Sequence, residues 1–133
     1  MALRIVVLVK QVPDTQTITG QAMKEDGTVN RDALPAIFNP EDLNALEEAL
    51  GIKDIIPEST VTAISMGPPK ASEVLKACLY RGADDAVLVS DRGFAGADTL
   101  ATSYALKCAI SRLWPCDLIL CGRQAIDGDT AQV

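Results

Sequence analysis

The residues able to do chemistry sit in short polar stretches between apolar runs. Asp127-Gly128-Asp129-Thr130 gathers two carboxylates and a hydroxyl within four positions. That opening is similar to a calcium loop, but no bidentate glutamate follows it. The acids read better as helix caps, with Asp127 or Asp129 starting a helix near Thr130 and aiming its positive amides at the loop. Asp91-Arg92-Gly93-Phe94-Ala95-Gly96-Ala97 is glycine-rich, yet it lacks the GxGxxG spacing and the lysine–threonine ending of a phosphate loop. Gly67-Pro68-Pro69 fits a ligand loop and a helix-starting turn equally well. Lys10, alone at the end of an apolar run, reads first as a solvated lysine.

Missing residue types narrow the chemistry further. The 133 residues contain no histidine, so a Ser-His-Asp triad, a Cys-His dyad and an HExxH zinc site are excluded. Cys78, Cys108, Cys116 and Cys121 form no CxxC pair, which argues against a zinc ribbon or a thioredoxin-type motif. Their settings look like helix faces and a strand, where cysteine packs as a small apolar residue. They read as reduced structural thiols of a cytoplasmic protein. Twelve basic residues against eighteen acidic give a net charge of −6, which argues against a nucleic-acid backbone or an anionic membrane as partner. No apolar run approaches the ~20 residues needed to insert across a bilayer. The apolar start at Met1 to Lys10 lacks a small-residue cleavage site and fits an opening strand better than a signal peptide.

These loops need a scaffold, and the sequence alternates strand-like and helix-like segments. Leu3 to Val9 is β-branched and almost continuously apolar, the pattern of a strand buried on both faces of a parallel sheet. Thr15 to Asn30 reads as a polar excursion, a β-hairpin with Thr17-Ile18-Thr19 and Thr28-Val29 flanking an Asp26-Gly27 turn. Asn39-Pro40-Glu41-Asp42 predicts a helix start: Asn39 caps, Pro40 takes the first helical position, and the acids complement the positive helix end. Leu43, Leu46, Ala49 and Leu50 supply its apolar face.

Val61 to Met66 is the second core strand. Ala71, Val74, Leu75, Cys78 and Leu79 then form an amphipathic stripe that ends at Arg81-Gly82. Ala86 to Val89 is the third strand. Asp98 caps a helix whose core face is Ala105, Leu106, Ala109, Ile110 and Leu113, and Asp117 to Cys121 is the fourth strand. Four buried strands separated by helices predict a single α/β domain over residues 1–133, a three-layer α/β/α sandwich with right-handed crossovers. In such sheets ligands settle beyond the carboxyl ends of the strands, where strand order reverses. The loops at 10–14, 67–69, 90–97 and 122–129 therefore form the expected site. Their amides could hold a pyrophosphate without a lysine, which makes a nucleotide the default ligand.

Several blocks in register sharpen this reading. Val9-Lys10-Gln11-Val12-Pro13-Asp14, Asn39-Pro40, Glu47-Glu48-Ala49, Ser65-Met66-Gly67-Pro68 and the run from Gly122 to Gln132 together resemble the beta subunit of electron-transfer flavoproteins. The resemblance implies a Rossmann-like adenine-nucleotide-binding fold with a parallel sheet of order 3-2-1-4-5. It also implies FAD or AMP as cofactor. The implied contacts are Leu8, Val9, Lys10, Asn39 and Met66, then Gly122, Arg123, Gln124, Ala125, Ile126, Asp127, Gly128, Asp129, Thr130, Ala131, Gln132 and Val133. Backbone amides of Asp127 to Gln132 would take the phosphates, with Thr130 and Gln132 adding side-chain bonds.

Asp91 to Thr99 and the Asp-Gly-Asp-Thr-Ala-Gln-Val ending look like the flavin-bifurcating group, in which Gly96 and Ala97 would leave space for an isoalloxazine, with Asp98 beside them at the cofactor; the other reading of Gly96 and Ala97 is a tight loop. In that group the beta-subunit FAD takes a hydride from NADH. One electron goes to the FAD of the alpha subunit, and the other goes to ferredoxin or flavodoxin. The implied partners are the alpha subunit and an acyl-CoA dehydrogenase or similar redox protein. Family beta subunits are considerably longer, so the chain reads as an N-terminal fragment without the fifth strand, expected to bind nucleotide weakly or not at all by itself. The alternative is a non-redox adenine-nucleotide module of the universal-stress type. An ATP-cleaving amidotransferase ranks last, because Lys10 to Asp14 is no SGGxDS loop.

Overall fold

Alternation along β1 (Arg4–Leu8) sends Ile5 and Val7 to one side of a sheet and Val6 and Leu8 to the other, and apolar residues meet them on both sides. A computed structural model describes residues 1–16, 24, 25, 27, 30 and 33–133. After β1 the chain forms a short antiparallel ribbon from β2 (Gln11–Pro13) and β3 (Ala36–Phe38), which pair as Gln11↔Phe38 and Pro13↔Ala36. Then follow α1 (Pro40–Ile55), β4 (Thr60–Met66), α2 (Ser72–Arg81), β5 (Asp85–Val89), α3 (Thr99–Arg112) and β6 (Leu118–Cys121).

The four-stranded sheet is wholly parallel, in the order β5-β4-β1-β6. Numbered by core strand, that is the expected 3-2-1-4. α1 and α2 cover one face, where Ile5, Val7, Leu46, Val61, Ala63, Val74 and Cys78 share a core. α3 covers the other face through Leu106 and Ile110, against Val6, Ile64 and Val87. The result is a three-layer α/β/α sandwich of Rossmann-like type. Each fully buried Ile, Val or Leu contributes about 1.5–3 kcal/mol of transfer free energy. Order reverses at β1: the chain steps outward through β4 to β5, crosses to the other face, and returns to β6 on β1's free side.

Local side chains close the amino ends of the strands. Ser59 Oγ accepts the Leu3 amide, Asp84 the Val61 amide and Asp117 the Arg4 amide, at 3.0, 2.8 and 2.7 Å. A cavity of about 270 Å³ lies at this end, between Arg4, Thr60, Leu113 and Cys116.

Several expectations are corrected by the structure. On α1, Ala45 and the carboxylate Asp42 join Leu46 and Ala49 in the interior, while Leu43 and Leu50 are only half-buried. Leu79 lies outside the α2 stripe, 43% exposed. On α3 only Leu106 is fully buried, because this face carries one helix where the other carries two. Cys78 packs in the core, and burial pushes its thiol up to about 11. Cys108 and Cys121 are exposed, so the core-filler reading fails for them. The residues assigned to the hairpin at Thr17-Ile18-Thr19, Asp26 and Thr28-Val29 lie outside the described residues. No helix among the described residues is long and apolar enough to cross a membrane.

Candidate functional site

The β2–β3 ribbon returns the chain to the end of β1, so residue 39 lands beside residue 10. The Asn39 amide donates to the Lys10 carbonyl at 2.9 Å, and α1 starts there with Pro40 in its first turn. The helix therefore opens at the carboxyl ends of β1 and β6, and its first-turn side chains face the loops that leave those strands.

Asn39 departs from its expected capping role. It is 1% exposed and makes no side-chain cap. Its Nδ2 donates to the Gln124 carbonyl at 3.0 Å, and its Oδ1 accepts the Ile126 amide at 3.2 Å. The loop backbone at 124–126 has no ladder partner, and a buried amide left unpaired would cost about 1–3 kcal/mol, so the long-range bonds win over a local cap. Glu41 does related work at the surface: it accepts the Gln124 amide at 3.0 Å and the Arg123 guanidinium at 3.0 Å. The Gln124 amide above all, helped by Arg123, holds the Glu41 carboxyl below its usual range against the opposing effect of burial.

Asp42 joins both loops. It accepts the Lys10 amide at 2.9 Å on one oxygen and the Gly122 amide at 3.1 Å on the other. Burial pushes its carboxyl up, opposed by the Asn39, Gly122 and Lys10 bonds and by the charge of Lys10. Gly122 lies so close to α1 that an added Cβ would sit 2.5 Å from Asp42 Oδ1 and 2.8 Å from the Glu41 backbone carbon. Only glycine fits there. Glu41 and Asp42 were legible in the sequence only as acids at a helix start; their spacing gave no sign that they reach another loop.

Lys10, read first as a solvated lysine, is 42% exposed at its side chain and is also paired. Its Nζ lies 2.8 and 3.0 Å from the two oxygens of Asp127, whose side chain is 4% exposed. The Asp127 side chain turns to Lys10, and a turn spans residues 126–128. The Gln124 side-chain amide donates to Asp129. Asp129 and Ala131 adopt left-handed backbone, at φ 55° and 52°. The Gly128 amide donates to the Asp127 carboxylate and the Asp129 amide to the Ala125 carbonyl.

Lys10, Asn39, Gln124, Ile126 and Asp127 are thus brought together, with Leu8 and Val9 at the strand end beneath them; the Val9 amide pairs with Ile64. Gly122, Arg123 and Ala125 complete the first turn of the loop, while Gly128, Thr130, Ala131, Gln132 and Val133 are exposed. Met66 ends β4, one strand away. Gly96, Ala97 and Asp98 follow β5, two strands from β1, and Asp98 caps α3 by accepting the Ala101 amide at 2.8 Å. Gly67-Pro68-Pro69 leads into a short 3-10 turn, Pro69–Ala71, and then α2. No group of three or more Cys, Asp or Glu among the described residues is placed to hold a metal ion.

Comparison with known proteins adds to this geometry. Residues 26–133 match the family model described as the electron transfer flavoprotein domain. The chain is 54% identical over 131 residues to the caffeyl-CoA reductase-Etf complex subunit CarD of Acetobacterium woodii, covering 98% of this chain and 49% of that protein. It is 55% identical to the protein FixA of Azotobacter vinelandii over 131 residues, 96% of this chain and 46% of that one. With the electron transfer flavoprotein subunit beta of Clostridium acetobutylicum it shares 53% over 131 residues, 98% and 49% of the two chains. The chain spans about half the length of the curated relatives it matches.

Proposed function

Because the chain belongs to the electron transfer flavoprotein domain family, we propose that it forms the adenine-nucleotide-binding part of a beta subunit, holding FAD and working beside an alpha subunit with its own FAD. One observation carries this reading. The loops after β1 and β6, at the point where strand order reverses, are tied into one framework through Lys10–Asp127 and Asn39–Gln124. Ligands of open parallel sheets settle in that crevice.

The donor set suits an adenylate. Asp129 and Ala131 are left-handed, as in backbone turns that bind anions, and with the Gly128 and Asp129 amides engaged by Asp127 and Ala125 the amides of residues 130–132 are the candidate phosphate donors. Gly128 leaves open space where a side chain would stand, and Thr130 and Gln132 are exposed beside it. Lys10 stays with Asp127, so the phosphates would be held by main-chain N–H groups.

The FAD reading takes the ligand from the 122–133 loop to the loop after β5. β6 and β5 lie three strand spacings apart, about 14 Å. A ligand reaching both the 122–133 loop and Gly96 to Asp98 must be longer than a mononucleotide. Gly96 is left-handed at φ 75° with nothing within 4 Å of its Cβ position, which suits a ring against the backbone. A bound flavin would supply the electron chemistry, while the protein supplies position and electrostatics. In this reading electrons enter from NADH or a dehydrogenase, such as an acyl-CoA dehydrogenase, and leave through the alpha subunit or to ferredoxin or flavodoxin.

The test is the visible spectrum and nucleotide content of the full-length protein purified with its alpha partner. Two flavins per heterodimer are expected. One flavin with one AMP would give this chain a structural nucleotide instead. No flavin at all would leave the non-redox adenine-nucleotide module.

A further inference from the structure

The parallel ladder between β1 and β6 ends at Leu8↔Cys121. Beyond it the strands part, and the amides of Lys10 and Gly122 meet the two oxygens of one carboxylate, Asp42. Asp42 is the third residue of α1. An acid at that position usually turns back to the amide of the capping residue. Here the Asn39 amide donates to the Lys10 carbonyl, and Asp42 reaches across to both loops.

We propose that Asp42 is a positioning residue for the nucleotide crevice: its carboxylate is a wedge that fixes the separation of the β1 and β6 loops and thereby the mouth through which the ligand's phosphates enter. The inference deepens the nucleotide reading above and rests on it. Three features support a wedge over a simple helix-end acid. Asp42 is 7% exposed, so its bonds are not shared with bulk water. Gly122 closes onto it with no room for a Cβ. Both oxygens are used by backbone donors from different loops, so an amide in its place could accept from only one of them. The charged and titratable groups around it are Lys10 on the β1 loop, Glu41 beside it, Arg123 on the β6 loop and Cys78 on α2.

Two variants of the full-length protein with its alpha partner, stripped of nucleotide, test this by calorimetry with FAD and with AMP. Asp42→Asn should weaken binding at least about tenfold. Ser59→Ala removes the buried hydroxyl that accepts the Leu3 amide at the opposite end of the sheet, and it should leave affinity within about twofold despite its own loss of stability. Equal weakening by both variants, or wild-type affinity in Asp42→Asn, would overturn the proposal. Should Asp42→Asn fail to fold, the wild-type protein decides: the Lys10 and Gly122 amide resonances, followed through the carboxylate range, should move with one shared midpoint. Separate midpoints, or no movement, would reject the wedge. A wild-type protein that binds neither nucleotide would reject the nucleotide reading instead, and the shared titration would still report on the wedge.

Discussion

Two helices of this chain open with the same kind of residue and use it in opposite ways. Asp98, exposed, turns inward on α3 and takes the Ala101 amide three residues on. Asn39, buried, leaves α1 without a side-chain cap and binds the backbone of residues 124 and 126. A local cap contributes about 1 kcal/mol and serves only its helix. On α1 the side chains of Asn39 and Glu41 serve the loop after β6, and Asp42 serves the loops after both β1 and β6. A helix start whose polar residues turn away from their own amides marks the place where a fold is arranging something other than the helix.

The largest effect should come from Gly122→Ala, which attacks the α1 side of this contrast. The new methyl meets backbone as well as the Asp42 oxygen, so α1 or the loop must move. Overpacking of this kind costs about 1–3 kcal/mol, and backbone on one side puts this site at the upper end. Urea unfolding measures it. A loss under about 0.5 kcal/mol, the range of a neutral surface change, would mean that the helix and loop are not in register contact.

Next comes the pair Asn39→Ala and Asp98→Ala. Removing Asn39 leaves the Ile126 amide and Gln124 carbonyl without their partners, at about 1–3 kcal/mol. Removing Asp98 costs about 1 kcal/mol. Hydrogen exchange sharpens the distinction: Ile126 should lose protection in the first variant and keep it in the second. Faster exchange confined to the first turn of α1 would return Asn39 to an ordinary cap.

The contrast also explains what the sequence could reveal. Buried parallel strands leave β-branched, nearly unbroken runs such as Ile5-Val6-Val7-Leu8-Val9, so the strands and the end of the sheet that matters were readable. The loop positions followed from the strand ends. The targets of Asn39, Asp42 and Lys10 did not, because each depends on chain return rather than periodicity. Lys10 and Asp127 are 117 positions apart. They meet only because β6 pairs beside β1, and Asn39 meets Lys10 only through the short β2–β3 ribbon, which a three-residue pairing leaves almost unsigned. Cys121 departs from the core-filler reading because on β6 Leu118 and Leu120 turn to the core while Ile119 and Cys121 face out.

The smallest effect separates two neighbours on α1. Glu41 titrates below its usual range and Asp42 above it. Glu41 therefore contributes stability that is present above its unfolded pKa and is lost as pH falls through its lower folded value. Asp42 has the reverse sign: its charge is disfavoured by burial, so the folded state gains stability as pH falls through its raised value. With mild acid the chain should first gain from Asp42 and, on further acidification, lose from Glu41. Urea midpoints across that range should show Glu41→Gln without the later loss and Asp42→Asn without the earlier gain. If both substitutions changed the profile in the same direction, the acids would be acting together on the positive end of α1, and the division between a surface brace and a buried wedge would fall.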